Sequence, residues 1–327
     1  MADFKKTVTD LLESVDIQVN GSRPFDIQVH NELFYSRVLS GKSLGLGESY
    51  MDGWWDCESL DQFCYQMLRG RIDKQVKVKN PAFLAHVLKA YFLNAQSKKR
   101  AYIVGEEHYD TGNDLFSLML DQGMNYSCGY WEHGVTVSKE QMDYAERSCI
   151  GLETKFELKD YRELNTKYDA IVSIGMFEHV GYKNYRNYMQ VAQRCLEGEG
   201  LFLLHTIGRN TPSRSTDPWT NKYIFPNGMI PSPAQISKSL QGLFVVEDWH
   251  NFGQYYDPTL MAWNENFQKN YESLKDKYDQ RFKRMWEYYL LMCAGTFRAR
   301  RNQLWQLVLS KKGLMGGYSY QDNHRSN

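Results

Sequence analysis

Asp169-Ala170-Ile171-Val172-Ser173-Ile174-Gly175-Met176-Phe177-Glu178-His179-Val180-Gly181 is the stretch on which the reading of the fold turns. A short apolar run rich in Ile and Val ends in small residues and then presents Glu178 and His179. That pattern predicts a buried parallel strand and the loop at its carboxyl end. In open α/β sheets, ligands bind beyond the carboxyl ends of the strands. A carboxylate and an imidazole delivered there are candidates for chemistry. The plain alternative is that Glu178 caps the first turn of the next helix.

Working outward, the chain beyond residue 135 alternates strand and helix. Thr154–Leu158 reads as a strand, Tyr182–Leu196 as a helix and Glu197–Gly200 as a turn. Leu201–Thr206 is a second buried strand, whose carboxyl end presents His205 and then Ile207. Residues 209–230 form a Pro, Asn, Gly and Ser-rich loop, a candidate cover for an active site. Pro231–Leu240 reads as a helix and Leu243–His250 as a strand. Tyr255 and Tyr256 precede a helix through Leu260, Met261 and Trp263. Residues 270–294 read as one long aromatic-rich helix, and Leu304–Leu309 as the last strand. This alternation predicts an α/β fold with a doubly wound sheet. Two strand ends carry Glu178 and His205, and their convergence favours a site over either residue alone.

Upstream the pattern is helical. Residues 1–20 carry Val8, Leu11, Leu12 and Val15 at helical spacing, and 58–69 and 81–94 read as further helices. Ser43-Leu44-Gly45-Leu46-Gly47 could cradle a phosphate, but it has no P-loop lysine and no GxGxxG, so a structural turn is expected. Gln96-Ser97-Lys98-Lys99-Arg100 is a basic cluster, either a solvated linker or a patch for anionic lipid headgroups. It marks the boundary between a small helical N-terminal domain, 1–100, and the α/β domain, 101–327. His108–Phe116 is a turn opening a helix, Ser138–Cys149 another helix. Cys128, among aromatics, and Cys293, on an apolar helix, read as packing residues.

Composition narrows the function. Lys plus Arg and Asp plus Glu are both 39, so no global field draws the chain to nucleic acid. The eight Trp, 23 Tyr and 16 Phe suit a core, and also a pocket or surface that meets acyl chains. The six cysteines have neither CxxC pairing nor zinc spacing, so no metal is expected. There is no apolar h-region at the start and no run of about 18 apolar residues. The expected location is the cytoplasm.

The segments SLGLGESYMDGWW (43–55), HYDTGNDLF (108–116), YSCGYW (126–131), GVTVSKEQ (134–141), SIGMFEHVG (173–181), LLHTIG (203–208), NKYIFPNG (221–228) and FRAR (297–300) together resemble the cyclopropane-fatty-acyl-phospholipid synthase family. The resemblance covers nearly the whole chain. It implies a small helical domain followed by a Rossmann-like methyltransferase domain that uses S-adenosylmethionine (SAM). It implies methyl transfer to a cis double bond of a phospholipid acyl chain in the bilayer, and ring closure after a bound bicarbonate removes a proton. It implies Cys128, Glu178, His205, Tyr256 and the backbone at Ile207 as bicarbonate ligands, with Cys293 a further catalytic candidate. The implied SAM contacts are Tyr126, Ser127, Thr136, Ser138, Gln141, Asp160 and Tyr161. It also implies a homodimer and peripheral contact with the inner membrane surface.

The family carries a strand ending in a glycine-rich loop, LDIGCGWGG, between the YSC-YW and GVT segments. Here Trp131-Glu132-His133 runs directly into Gly134-Val135-Thr136. The omission is on the order of one βαβ unit, about 30 residues or more. The strand at 154–158 is then expected to pair directly with that at 168–174, over a connection short for a parallel crossover, and open sheet edges are expected. Two readings follow: a cyclopropane synthase, or an inactive, internally deleted homologue that binds lipid or dimerises with an intact copy.

Overall fold

A computed structural model describes residues 4–72, 113–120, 133–136, 146–147 and 149–319. The helix expected at 81–94, the basic cluster at 96–100 and the boundary at residue 100 lie outside the described residues. The N-terminal part contains α1 (Phe4–Glu13), β1 (Gln28–Val29), α2 (Leu33–Gly41), α3 (Ser43–Met51), β2 (Trp55–Asp56) and α4 (Leu60–Arg69). Val8 and Leu12 form the buried stripe of α1. The stretch expected to be a glycine turn is the helix α3. Its glycines serve close approach: a Cβ on Gly45 would strike the Arg37 carbonyl, and one on Gly47 would strike the Trp219 ring. Helix propensity is overruled here by packing. Trp55 is fully buried, and its indole N–H reaches the Leu46 carbonyl and the Ser49 hydroxyl, each at 3.1 Å.

α5 (Asn113–Met119) is followed by β3 (His133–Thr136) and β4 (Lys155–Leu158). These two strands form a parallel pair of their own, with Thr136 opposite Leu158. The expected pairing of 154–158 with the next strand is not what forms. The chain between β3 and β4 is long enough for a parallel crossover, whereas the link from β4 onward is short for one.

Next come β5 (Tyr168–Ile174), α6 (Phe177–Val180), α7 (Tyr185–Cys195), β6 (Leu196–Arg209), α8 (Pro218–Tyr223) and α9 (Pro233–Leu240). β7 (Val245–Asn251), α10 (Gly253–Asn270), α11 (Gln280–Arg298) and β8 (Asn302–Ser310) complete the fold. The four-stranded sheet runs β5-β6-β8-β7. β5 and β6 are parallel, with Ile174 opposite His205, and β8 is antiparallel to both β6 and β7. Glu197–Gly200, expected as a turn, belongs to β6. The long helix expected at 270–294 starts later: α10 runs on to Asn270, a 3-10 turn covers Tyr271–Ser273, and α11 begins only after Asp279, which caps it by accepting from the Phe282 amide at 2.7 Å.

Two apolar cores meet at β6. One joins the N-terminal helices to α5, α8, α10 and α11, and Ile207 packs against it. The other holds Phe202, Leu204 and Trp305 of the sheet under α6, α7 and α9. Thr206 and Ile207 therefore point to opposite sides of the strand, and the candidate residues lie at this junction.

Candidate active site

The β5–α6 turn delivers the carboxylate. Gly175 adopts φ of 65°, a left-handed backbone natural to glycine, and its N–H donates to the His205 carbonyl at 3.1 Å. The chain thus stays joined to β6 as it turns into α6. Glu178, 8% exposed, then reaches back across the sheet end. Its Oε1 accepts from the Ile207 amide at 2.7 Å. Its Oε2 is buried and has no hydrogen-bond partner. Burial pushes the Glu178 carboxyl up to about 7, against the opposing pull of the Ile207 amide. A buried acceptor without a donor is costly, so a polar ligand would be favoured there.

One strand position along, Nδ1 of His205 accepts from the Gln306 side-chain amide at 3.0 Å. That leaves the ring proton on Nε2. Burial holds the imidazole below its usual range, so His205 is a neutral N–H donor. Tyr256, on α10, stacks on Phe297 at 4.7 Å and meets Trp263 edge-on at 6.3 Å. Burial raises its phenol, and Glu178 and Cys293 lie close enough to raise it further. Cys293, on α11, is pushed up to about 12 by burial, which disfavours its thiolate. Glu178, Ile207 and His205 are therefore assembled on two adjacent strand ends, with Tyr256 and Cys293 within electrostatic reach. Cys128 lies outside the described residues.

Thr136 ends β3, and Asp160 and Tyr161 lie just beyond the end of β4, so the parallel pair delivers all three at its carboxyl edge. Asp160 is 2% exposed. Its carboxylate binds the Arg162 guanidinium at 2.7 and 2.5 Å and accepts from the Arg162 amide at 2.9 Å. Tyr161 meets Tyr188 edge-on at 5.3 Å, and burial pushes its phenol up to about 12. Tyr126, Ser127, Ser138 and Gln141 lie outside the described residues. Of the residues expected to contact SAM, the described ones form one flank, with an acidic group already held by its own arginine.

Two contributors left no signal in the sequence. Gln306 is an ordinary strand residue until the β6–β8 register sets it opposite His205. Met229, in the candidate cover, donates its amide to the Glu178 carbonyl at 2.7 Å, and the Tyr185 hydroxyl donates to the Met229 carbonyl at 3.0 Å.

The family described as mycolic acid cyclopropane synthetase matches residues 96–134 and 133–307. The chain belongs to this family. The match falls into two pieces that meet at 133–134, where the glycine-rich segment would stand. The chain is 46% identical to the cyclopropane-fatty-acyl-phospholipid synthase of Escherichia coli strain K12, over 94% of each chain. That alignment runs over 362 positions, more than the 327 residues of this chain, so the relative has residues with no counterpart here. Among solved structures, the fold is similar to the cyclopropane synthase MmaA2 from Mycobacterium tuberculosis (TM-score 0.59, 22% identity, 64% of this chain and 98% of that one). It is likewise similar to the mycolic acid cyclopropane synthase CmaA1 complexed with SAH and CTAB (TM-score 0.58, 22% identity, the same two shares). These neighbours share the methyltransferase fold; the glycine-rich motif is absent from this sequence, and no counterpart of its strand stands among the described residues.

Proposed function

We propose that the chain is a cyclopropane-fatty-acyl-phospholipid synthase, a SAM-dependent methyltransferase of unsaturated phospholipid acyl chains. The observation that carries this reading is Glu178: buried, anchored by one oxygen to the Ile207 amide, and left with an unpartnered Oε2, at a sheet end where the adjacent strand carries a neutral His205. SAM supplies the electrophilic methyl group, and bicarbonate the small base for ring closure. An orphaned acceptor and an N–H donor carried by adjacent strands fit a small hydroxylated anion. Glu178 Oε2 would accept from its hydroxyl, and Nε2–H of His205 would donate to it. The Ile207 amide is committed to Glu178, so Ile207 serves the site by holding that carboxylate. Tyr256, backed by Phe297 and Trp263, gives an aromatic wall suited to positive charge developing on the alkene, where water is excluded.

A second reading is favoured by the interruption at 133–134: a homologue that keeps the acceptor side and has lost the donor. In both readings the protein meets phospholipid at the membrane surface and pairs with a second copy. Among the described residues no helix is long and apolar enough to cross a membrane, which fits peripheral contact. The test is to mix the chain with SAM and vesicles of a mono-unsaturated phospholipid and look by mass spectrometry for acyl chains heavier by one CH2. Product establishes the synthase. No product beside an active family member, with lipid binding retained and no heat of SAM binding, establishes the second reading.

A further inference from the structure

The strap between β6 and α9 touches both the N-terminal helices and the backbone of Glu178. At its middle, α8 docks on α3. Oε1 of Glu48 accepts from the Lys222 ammonium at 2.6 Å and from the Tyr223 hydroxyl at 2.8 Å. Its Oε2 accepts from Arg37 at 3.1 Å, and Arg37 is held in turn by Asp52 at 2.7 Å. Beside this cluster Trp219 is 3% exposed, with its indole N–H on the Met51 sulfur at 3.3 Å and its ring edge-on to Tyr288 at 4.7 Å. The missing Cβ of Gly47 is what lets that ring in.

From this anchor the chain returns to the site within a few residues. The Asn221 side chain accepts from the Asn227 amide at 2.9 Å, and Asn227 adopts φ of 60°, which closes the turn. Met229 follows directly and donates to the Glu178 carbonyl at 2.7 Å. A rigid segment pinned at one end transmits position to the other. Glu48 is the carboxylate on which the pinned end converges; its side chain is 16% exposed and that of Lys222 54%, so the part-buried bonds to Tyr223 and Arg37 hold more than the screened lysine pair.

We propose that Glu48 is a positioning residue: by holding Lys222 and Tyr223 it keeps Met229 on the Glu178 backbone and so fixes the site carboxylate against Ile207. This rests on the reading of Glu178 as the site carboxylate. The SLGLGESY motif then has a task, which is to carry one acid and one glycine gap to the strap.

Native-state hydrogen exchange of the full chain, resolved to single amides, tests the proposal. Glu48→Ala should raise exchange at the Met229 amide by about tenfold and leave the amides of α11 unchanged. Glu48→Gln, still able to accept from Tyr223, should fall between wild type and Glu48→Ala. The double variant Lys222→Met/Tyr223→Phe changes only the strap and should match Glu48→Ala even if that variant folds poorly. An unchanged Met229 amide in the double variant, or an equal rise throughout α11, overturns the proposal. A second readout is the infrared band of the protonated Glu178 carboxyl, assigned with Glu178→Gln. Its titration midpoint, about 7 in wild type, should move toward the ordinary carboxylate range when the strap is released; a midpoint that stays put overturns the proposal. Neither readout needs turnover. A wild-type chain that makes no product but shows both responses counts against the synthase reading alone.

Discussion

The acceptor side and the donor side of this molecule differ in how completely they are built. On the acceptor side β6 lies between two cores, and each site residue is held by a neighbour: Glu178 by Ile207 and Met229, His205 by Gln306, Tyr256 by Phe297. On the donor side, among the described residues, β3 and β4 form a two-stranded sheet not paired with the four-stranded one. Apolar groups there are open to water: Ile150 is 83% exposed, Leu152 64% and Leu158 42%. β5, which borders the acceptor sheet, has Val172 at 44% exposure. A strand in a doubly wound sheet is normally covered on both faces. On the proposed reading, the loss of one βαβ unit leaves the Glu178 carboxylate in place and removes the support of the methyl donor. Both strands flanking the gap run parallel to their neighbours, so one further parallel strand would join the halves.

The sharpest way to break this comparison is to restore the segment. Grafting the strand, glycine-rich loop and following helix of the Escherichia coli relative between Trp131 and Gly134 should tighten SAM binding by roughly 100-fold or more, about 2.7 kcal/mol, in calorimetry. Equal affinity before and after grafting would show that the donor site is built without the loop. The acceptor half would then not be the better-preserved one.

The next effect lies on the acceptor side. Glu178→Gln in the grafted chain should lower ring formation by roughly 100-fold or more, measured as product per unit time at saturating lipid. The same variant has a stability signature. The Glu178 carboxyl is raised to about 7 in the fold by burial, above its unfolded value. The protonated group is the favoured one in the fold, so this stability is fully present below pH about 4.5 and is lost as pH rises through about 7, roughly 3 kcal/mol in all. Denaturant titrations at several pH values should show that decline in wild type and not in Glu178→Gln. Parallel profiles would mean that Glu178 is not buried as described.

How much of this was legible depended on whether the cause was local. β5, α7, β6 and β8 were readable because Ile, Val and Leu runs and helical spacing are local signals, and Glu178 and His205 follow from their places at strand ends. α3 was not readable. Gly45 and Gly47 look like turn residues, and only Arg37 and Trp219, far along the chain, show why a helix there needs them. The start of α11 was placed too early because aromatic residues run on through the turn before it. Gln306 and Met229 matter only through strand register and a backbone amide, neither of which a residue type announces. The separate β3–β4 pair was missed because the expectation placed β4 beside its nearest strand in sequence, whereas parallel pairing favours the longer connection.

A smaller effect tests the exposed border. Val172→Lys places a charge on a half-exposed strand position next to the gap. Folding free energy should change by less than about 1 kcal/mol, as at other surface sites, while the temperature at which light scattering begins should rise, because charge blunts an open edge. A loss of several kcal/mol would mean that Val172 is covered in solution, by a second copy or otherwise.

The smallest effect is expected at Cys293. A catalytic thiol would have to ionise near neutral pH, yet burial pushes this one up to about 12, and its electrostatic neighbours Cys64 and Asp217 push the same way. A thiolate then makes up roughly one part in 100,000 at pH 7. Cys293→Ala in the grafted chain should therefore leave kcat/KM within about twofold of its parent, and iodoacetamide should alkylate the wild-type residue far more slowly than a free thiol. Packing sets the remaining cost, because Cys293 borders the core that joins α11 to the N-terminal helices. Removing one sulfur there leaves a small void, worth about 1 kcal/mol. A fall in activity well beyond twofold, with stability kept, would move Cys293 from the wall of the acceptor pocket into its chemistry.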